Sequence, residues 1–358
     1  MMDISVHELR AQLSARVIGQ DHAVDALARA VTVARAGLLE YDRPLASLLF
    51  VGPTGVGKTV MVRALAEIIR SNADDFCRVD MSSLAQEHYG ASISGAPPGY
   101  AGSKEGLTIF DRLQIESDEH TPGIVLFDEI EKAHPTVIRT LLHVLDNGLL
   151  RLSSGTETIN FRNCIVVMTS NLGGAEIARH RAGQILKRRR PRTAAKPTGS
   201  RTLTGLLSVG APRAGLTEEN QILTRALQEF FDPEFLNRLD DIVAFNDLDR
   251  SSAEEITARE VSLVCDRLRE RSIHLSVSPE VIRHIASVGF DPAFGVRALK
   301  RGVQRELLAP LATALQSFPP RGSTPTAVQI TLRGGLVTCQ TLDEHIPSIP
   351  LLTFDPSH

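Results

Sequence analysis

Gly52-Pro53-Thr54-Gly55-Val56-Gly57-Lys58-Thr59 has the spacing G-x-x-x-x-G-K-[ST]. Glycines so placed let backbone N–H groups close around phosphate oxygens, a lysine reaches the β and γ phosphates, and a hydroxyl ligates Mg2+. The loop follows an apolar run ending at Val51 and opens a helix, whose N-terminus favours an anion. Farther along, Ile124-Val125-Leu126-Phe127-Asp128-Glu129 reads as a buried strand ending in two acids. Such a strand delivers its last side chains to the carboxyl edge of a sheet, where open α/β folds bind ligands. Asp128 is expected to hold the metal through water, and Glu129 to polarise an attacking water. Asn171, at the end of Thr169-Ser170-Asn171, is placed to orient the same water. The nucleotide-binding set is then Gly52, Pro53, Thr54, Gly55, Val56, Gly57, Lys58, Thr59, Val60 and Asp128, with Thr59 and Asp128 at the metal. ATP and Mg2+ are the implied cofactors, and hydrolysis of a phosphoanhydride is the implied chemistry.

The elements that must position these residues follow from periodicity. Asp21 to Leu38 reads as an amphipathic helix with Val24, Leu27, Val31 and Ala34 on one face. Leu48 to Val51, Cys77 to Asp80, Ile124 to Phe127, Cys164 to Met168 and Ile242 to Phe245 read as strands. Helices are predicted at Lys58 to Ile69 and Leu107 to Ser117, and after Pro135, a residue suited to a first helical position. Short apolar strands alternating with helices argue for a parallel five-stranded sheet covered on both faces, an α/β fold. After about Leu248 the pattern changes to a smaller, mostly helical domain. Its helices are predicted at Ser252 to Arg271, after Pro279 and around Val296 to Leu308, with a hairpin at Ala327 to Leu332 and Leu336 to Thr338. The expected division is residues 1–248, with a basic insertion at about 178–213, then 249–340, then an extended tail at 341–358.

The chain has 358 residues and a net charge of -3, so no global charge steers it to nucleic acid or membrane. Four cysteines, at 77, 164, 265 and 339, lack zinc or redox spacing, as in a protein with reduced thiols. Neither a signal peptide nor an apolar run of about 20 residues is present, and a cytoplasmic protein without membrane contact is expected.

Beyond the chemistry of single residues, the chain resembles the second ATPase module of the ClpA/ClpB unfoldases, in the AAA+ superfamily. The resemblance is carried by Val17-Ile18-Gly19-Gln20, the phosphate loop, Gly95-Ala96-Pro97-Pro98-Gly99-Tyr100-Ala101-Gly102 and Leu126-Phe127-Asp128-Glu129-Ile130-Glu131-Lys132-Ala133-His134-Pro135. Thr169-Ser170-Asn171-Leu172-Gly173, Pro233-Glu234-Phe235-Leu236-Asn237-Arg238-Leu239-Asp240 and Gly289-Phe290-Asp291-Pro292-Ala293-Phe294-Gly295-Val296-Arg297 continue it in family order. It implies a homo-hexameric ring acting on a polypeptide, with nucleotide between subunits. Arg238 then matches an arginine finger that enters the neighbour's site, and Arg297 a second sensor of phosphate. Val17 and Ile18 match residues flanking adenine. Tyr100 matches the aromatic of a channel loop that grips unfolded polypeptide, offering contact area indifferent to side-chain sequence.

The chain departs from that pattern in several places. Ala101 stands where a bulkier apolar residue is usual, and Ser103 where a second aromatic is common. The segment Arg151 to Thr158 resembles a second channel loop but lacks acids until Glu157. About sixteen residues precede Val17, so any substrate adaptor is expected to be a separate protein or the basic insertion. That insertion carries Lys187-Arg188-Arg189-Arg190 and, at Leu203-Thr204-Gly205-Leu206-Leu207, a loose match to a peptidase-docking tripeptide. The expected function is an ATP-driven unfolding or remodelling motor. The alternatives are an assembly or recruitment factor without threading and an unfoldase partner of a separate peptidase. A nucleic-acid-remodelling ring ranks last, because the channel loop resembles peptide translocases.

Overall fold

The computed structural model describes residues 4–37, 42–86, 109–117, 121–151, 158–174, 176–177, 179–180, 218–291, 295–317 and 326–341. The chain divides into two compact units, Met1–Asn246 and Asp247–His358. In the first, helices α1 (Val6–Arg16) and α2 (Asp21–Arg35) precede strand β1 (Ala46–Val51) and helix α3 (Lys58–Arg70). Strand β2 (Cys77–Asp80), helix α4 (Arg112–Glu116), strand β3 (Gly123–Asp128) and helix α5 (Pro135–Asn147) follow. Then come β4 (Leu149–Arg151), β5 (Thr158–Asn160), β6 (Cys164–Ser170), α6 (Glu218–Phe230), α7 (Pro233–Leu236) and β7 (Asp241–Ala244).

Five strands form one parallel sheet in the order β2-β3-β6-β1-β7. The order explains the apolar content of each strand. β6 and β1 lie inside and are buried at every residue, whereas edge strand β2 alternates buried and exposed. Because side chains of a strand alternate between faces, the central strands feed two cores. Leu49, Val51, Val125, Phe127, Val166 and Met168 pack into one. Leu48, Phe50, Ile124, Leu126, Ile165 and Val167 pack into the other, beneath α1, α2 and α3. Each fully buried side chain of this size contributes about 1.5–3 kcal/mol, so both faces fix the strand ends that carry the polar residues.

Two predicted elements differ in detail. The helix expected over Leu107 to Ser117 is broken where it is described. Asp111 takes an extended conformation and its side chain accepts the Leu113 N–H, capping a new helix, α4, at Arg112. A local carboxylate-to-amide bond competes here with helix continuation. Helix α2 ends at Arg35, and Gly37 at φ 64° turns the chain away before Leu38. The antiparallel pair β4–β5, absent from the sequence reading, brackets residues 152–157.

The second unit contains α8 (Arg250–Arg269), β8 (Ile273–Val277), α9 (Pro279–Gly289), α10 (Gly295–Val303), α11 (Ala309–Ser317), β9 (Thr326–Arg333) and β10 (Leu336–Thr341). A wider π turn, Gln304–Leu308, joins α10 to α11. The hairpin β9–β10 gains an unpredicted third strand, β8, parallel to β9. Helices α9 and α10 meet backbone to backbone: a Cβ on Gly289 would lie 3.2 Å from Gly302 Cα. Arg297 is exposed on α10.

Candidate functional site

The phosphate loop connects the buried end of β1 to the first turn of α3. Gly52 is there for space. A Cβ on it would sit 2.6 Å from the Phe245 carbonyl oxygen, because β7 runs beside β1 and its continuation closes over the loop. Gly55 and Gly57 have φ of 78° and 110°, the left-handed region that glycine enters without steric penalty. Val17 lies against Gly57, its Cγ1 3.7 Å from where a Cβ would be. The adjoining turn is tied down by Gln20, which is fully buried. Its amide donates to the carbonyls of Val56 and Asn246 and accepts the Asn246 N–H, at 3.3, 2.8 and 3.0 Å. The segment Val17-Ile18 is thereby fixed beside the phosphate loop.

Lys58 is buried, and its ammonium donates to the carbonyls of Gly52 and Pro53 and to Asn171 Oδ1, at 2.5, 2.8 and 2.9 Å. Lysine only donates, so the Asn171 carbonyl must face it, and the Asn171 NH2 is left for acceptors. That NH2 lies 3.1 Å from Glu131 Oε1 and 3.4 Å from Glu129 Oε1. Glu131 Oε1 also accepts the Asn171 N–H at 3.1 Å, so Glu131 sets the angle of the amide. The fold therefore brings Lys58, Asn171 and Glu129 together at the carboxyl edge of the sheet.

Asp128 and Glu129 are separated by one hydroxyl. Because β3 and β6 are neighbours with Phe127 opposite Met168, Asp128 comes level with Thr169. Thr169 Oγ1 donates to Asp128 Oδ1 at 2.5 Å and accepts the Glu129 N–H at 3.0 Å. Glu129 has φ 59° and ψ 54°, a left-handed conformation that a non-glycine residue holds only when surroundings enforce it. The Thr169 bond on its N–H and the Lys132 N–H bond to its carbonyl, at 2.8 Å, are that enforcement. The turn directs Glu129 away from Asp128 toward Asn171. From the edge strand, Arg78 donates to Asp128 Oδ2 at 2.6 Å through a terminal nitrogen and at 3.2 Å through Nε.

Thr169→Val is therefore expected to release the Glu129 turn. Turnover should fall about tenfold, the scale of a lost bond to a charged group with a misplaced Glu129 carboxylate, while nucleotide affinity changes little. Thr169→Ser should restore most of the rate. Paired measurements of kcat and nucleotide Kd on both variants check this.

The residues fit a magnesium-bound triphosphate. Thr59 offers a hydroxyl in the first turn of α3, and Asp128 has lone pairs left after its two protein partners. Few protein oxygens plus water is the usual environment for this ion.

Other predicted residues lie elsewhere. Arg238 sits before β7, where Asp240 is level with Ser47: the Asp240 N–H bonds the Ser47 carbonyl at 2.8 Å and the Ser47 N–H bonds Asp240 Oδ2 at 2.7 Å. Burial pushes the Asp240 carboxyl up, against the Ser47 bond and the Arg43 charge, which pull it down. Ser47 is at the amino end of β1, five residues before Gly52, about 17 Å away along an extended strand. Arg238 and the phosphate loop of its own chain thus occupy opposite edges of the sheet. Arg297 belongs to the second unit. Tyr100 and its loop, residues 152–157, residues 181–213 of the insertion with its Leu203–Leu207 stretch, and residues 342–358 of the tail lie outside the described residues. Sequence reasoning missed the work of Thr169, Glu131, Arg78 and Gln20. Thr169, Glu131 and Gln20 stand within the motifs and Arg78 in the edge strand, but only tertiary placement assigns their contacts.

A phosphate loop between β1 and α3, paired acids closing β3 and an asparagine after the central β6 define a P-loop nucleoside triphosphatase of AAA+ architecture. Residues 43–242 match the family described as AAA domain (Cdc48 subfamily), and residues 248–319 the C-terminal, D2-small domain, of ClpB protein. A protein of Rhodococcus erythropolis named ATP-dependent protease ATP-binding subunit-like protein is 46% identical over 321 residues, 90% of this chain and 86% of its own. One of Pseudomonas aeruginosa, named ATP-dependent protease ATP-binding subunit-like protein AmiB, is 46% identical over 303 residues, 85% of this chain and 77% of its own. Chaperone protein ClpB 2 of Thermosynechococcus vestitus is 39% identical over 308 residues, which are 86% of this chain and 31% of that one. The chain belongs to the Clp-type AAA+ ATPases, resembling their second ATPase module, and is an ATP-hydrolysing enzyme. No helix among the described residues is long and apolar enough to cross a membrane.

Proposed function

We propose that this chain is the subunit of a cytoplasmic ATP-driven ring, a homo-hexamer, that unfolds or remodels polypeptides. The observation that carries the ring is the position of Arg238. It lies at the sheet edge opposite its own phosphate loop, with a half-exposed guanidinium out of reach of that loop, which favours a role at another subunit's nucleotide. A cation supplied in this way to a transferring phosphoryl group raises rates by about 10³ to 10⁵ in other enzymes.

Within one subunit, the loop N–H groups and Lys58 bind the phosphates, and Val17 and Ile18 flank the base. Thr59 and Asp128 would hold Mg2+, which when bound would neutralise phosphate charge. Glu129 takes a proton from the attacking water, and Asn171, braced by Lys58 and Glu131, keeps that water in line. Arg297 is assigned the second phosphate sensor by the family resemblance. Tyr100 is assigned the grip on the polypeptide.

The remodelling part is tested by unfolding of a tagged fluorescent protein. Tyr100→Ala is expected to keep ATPase activity within about twofold and to lose ATP-dependent unfolding, since an aromatic contact residue contributes grip rather than chemistry. Equal unfolding by both proteins would remove threading from the proposal and leave an assembly factor. A second reading, in which a separate peptidase docks, is favoured by the names of two relatives, each an ATP-dependent protease ATP-binding subunit-like protein.

A further inference from the structure

The guanidinium of Arg238 is not loose before subunits meet. Asp146, in the last turn of α5, has Oδ1 2.6 Å from Arg238 Nε. The main chain at the same place is held separately: Arg43 donates to the Arg238 carbonyl at 2.9 Å and lies 3.7 Å from Asp240 Oδ1. Arg43 also reaches the Leu145 carbonyl at 3.4 Å, next to Asp146 in the chain. Asp240 in turn is bonded to Ser47 of β1. Arg43 therefore fixes both the backbone that carries the guanidinium and the end of the helix that carries its acid.

We propose that Asp146 is the positioning residue of Arg238. It engages the guanidinium at Nε and leaves the terminal nitrogens for a phosphate of the adjoining subunit, a partner that is a second copy of this chain. This rests on the reading of Arg238 as an arginine acting on the neighbour's site. The physical case is entropy and geometry. An arginine side chain loses considerable rotamer freedom when ordered, and a guanidinium fixed in advance loses less on docking. The pair is not a stability element: Arg238 and Asp146 side chains are 45% and 25% exposed, and an ion pair so placed contributes little to folding. Neutralising Asp146 should consequently alter catalysis without altering the fold.

The test is a double-mutant cycle on the full chain, with ATP turnover, KM, thermal midpoint and ring assembly by light scattering measured for each protein. Asp146→Asn is expected to lower kcat about tenfold, the order of loss from a modest misplacement, with KM, melting and assembly unchanged. Asp146→Glu should recover part of the rate. In the Arg238→Ala background, Asp146→Asn should have no further effect, because it acts through the missing guanidinium. Multiplying effects in the double variant would overturn the proposal. So would faster turnover by Asp146→Asn, which would make the pair a restraint, or loss of assembly by that variant. Full activity of Arg238→Ala alone would instead overturn the ring-site reading on which the proposal rests.

Discussion

Glu129→Gln should bind ATP as tightly as the unsubstituted chain and hydrolyse it at least about 100-fold more slowly, the lower end of what a positioned general base contributes. The substitution keeps side-chain length, and the amide oxygen still accepts from the Asn171 NH2, so the local network is retained. The left-handed backbone at this residue is held by Thr169 and by the Lys132 N–H, neither of which touches the carboxylate. What disappears is the ability to take a proton from water. Phosphate binding is expected to depend on the other side of the site, on the loop and Lys58, and to be untouched. Blocked chemistry with intact binding leaves the ATP-bound state populated, so the variant should collect as a stable ring and retain bound polypeptide. Equilibrium nucleotide binding, single-turnover hydrolysis and light scattering check the three parts. Turnover within threefold of the unsubstituted chain would remove Glu129 from the catalytic role.

The contrast between Glu129 and Thr169 marks where sequence stops being sufficient. The phosphate loop is local: its glycines, lysine and threonine fall within the eight positions Gly52 to Thr59, and the backbone geometry they permit follows from residue type alone. The acids at the end of β3 are nearly as plain, because a continuous apolar run ending in Asp-Glu has one sensible place in a parallel sheet. Thr169 is different. Its hydroxyl matters only because β6 lies beside β3 with Met168 opposite Phe127, and strand order is not written in either strand. Arg78 is the same case, meeting Asp128 because β2 pairs with β3. The fold's main strands were legible for the same reason as the loop, since burial on both faces demands unbroken apolar runs. Strand β8 was not legible: its exposure alternates, and its pairing with β9 joins segments some fifty residues apart. The break at Asp111 was missed because helical spacing continues through it, while a single carboxylate cap decides the outcome.

Arg238→Ala should reduce turnover about 1000-fold, within the range seen when a trans-acting arginine is withdrawn from phosphoryl transfer. The more decisive result comes from mixing. Arg238→Ala subunits have an intact loop, acids and Asn171 but offer nothing to a neighbour. Glu129→Gln subunits have a disabled site of their own but an intact Arg238. If the arginine acts within its own chain, the mixture can do no better than the average of two inactive proteins. If it acts across an interface, every contact that presents the Arg238 of a Glu129→Gln subunit to an Arg238→Ala site rebuilds one complete set. Random mixing in equal amounts makes such contacts about a quarter of the total in a head-to-tail ring, so roughly a quarter of normal turnover should return if sites fire independently. The placement of Arg238 favours the second case on physical grounds. It stands at the amino edge of the sheet beside Ser47, and its own phosphate loop stands at the carboxyl edge beyond Val51. No rotamer spans that distance, and the sheet between them is packed on both faces. For the same reason ATP turnover should rise steeply with protein concentration and level off once assembly is complete, whereas a self-sufficient subunit would give a constant rate per chain.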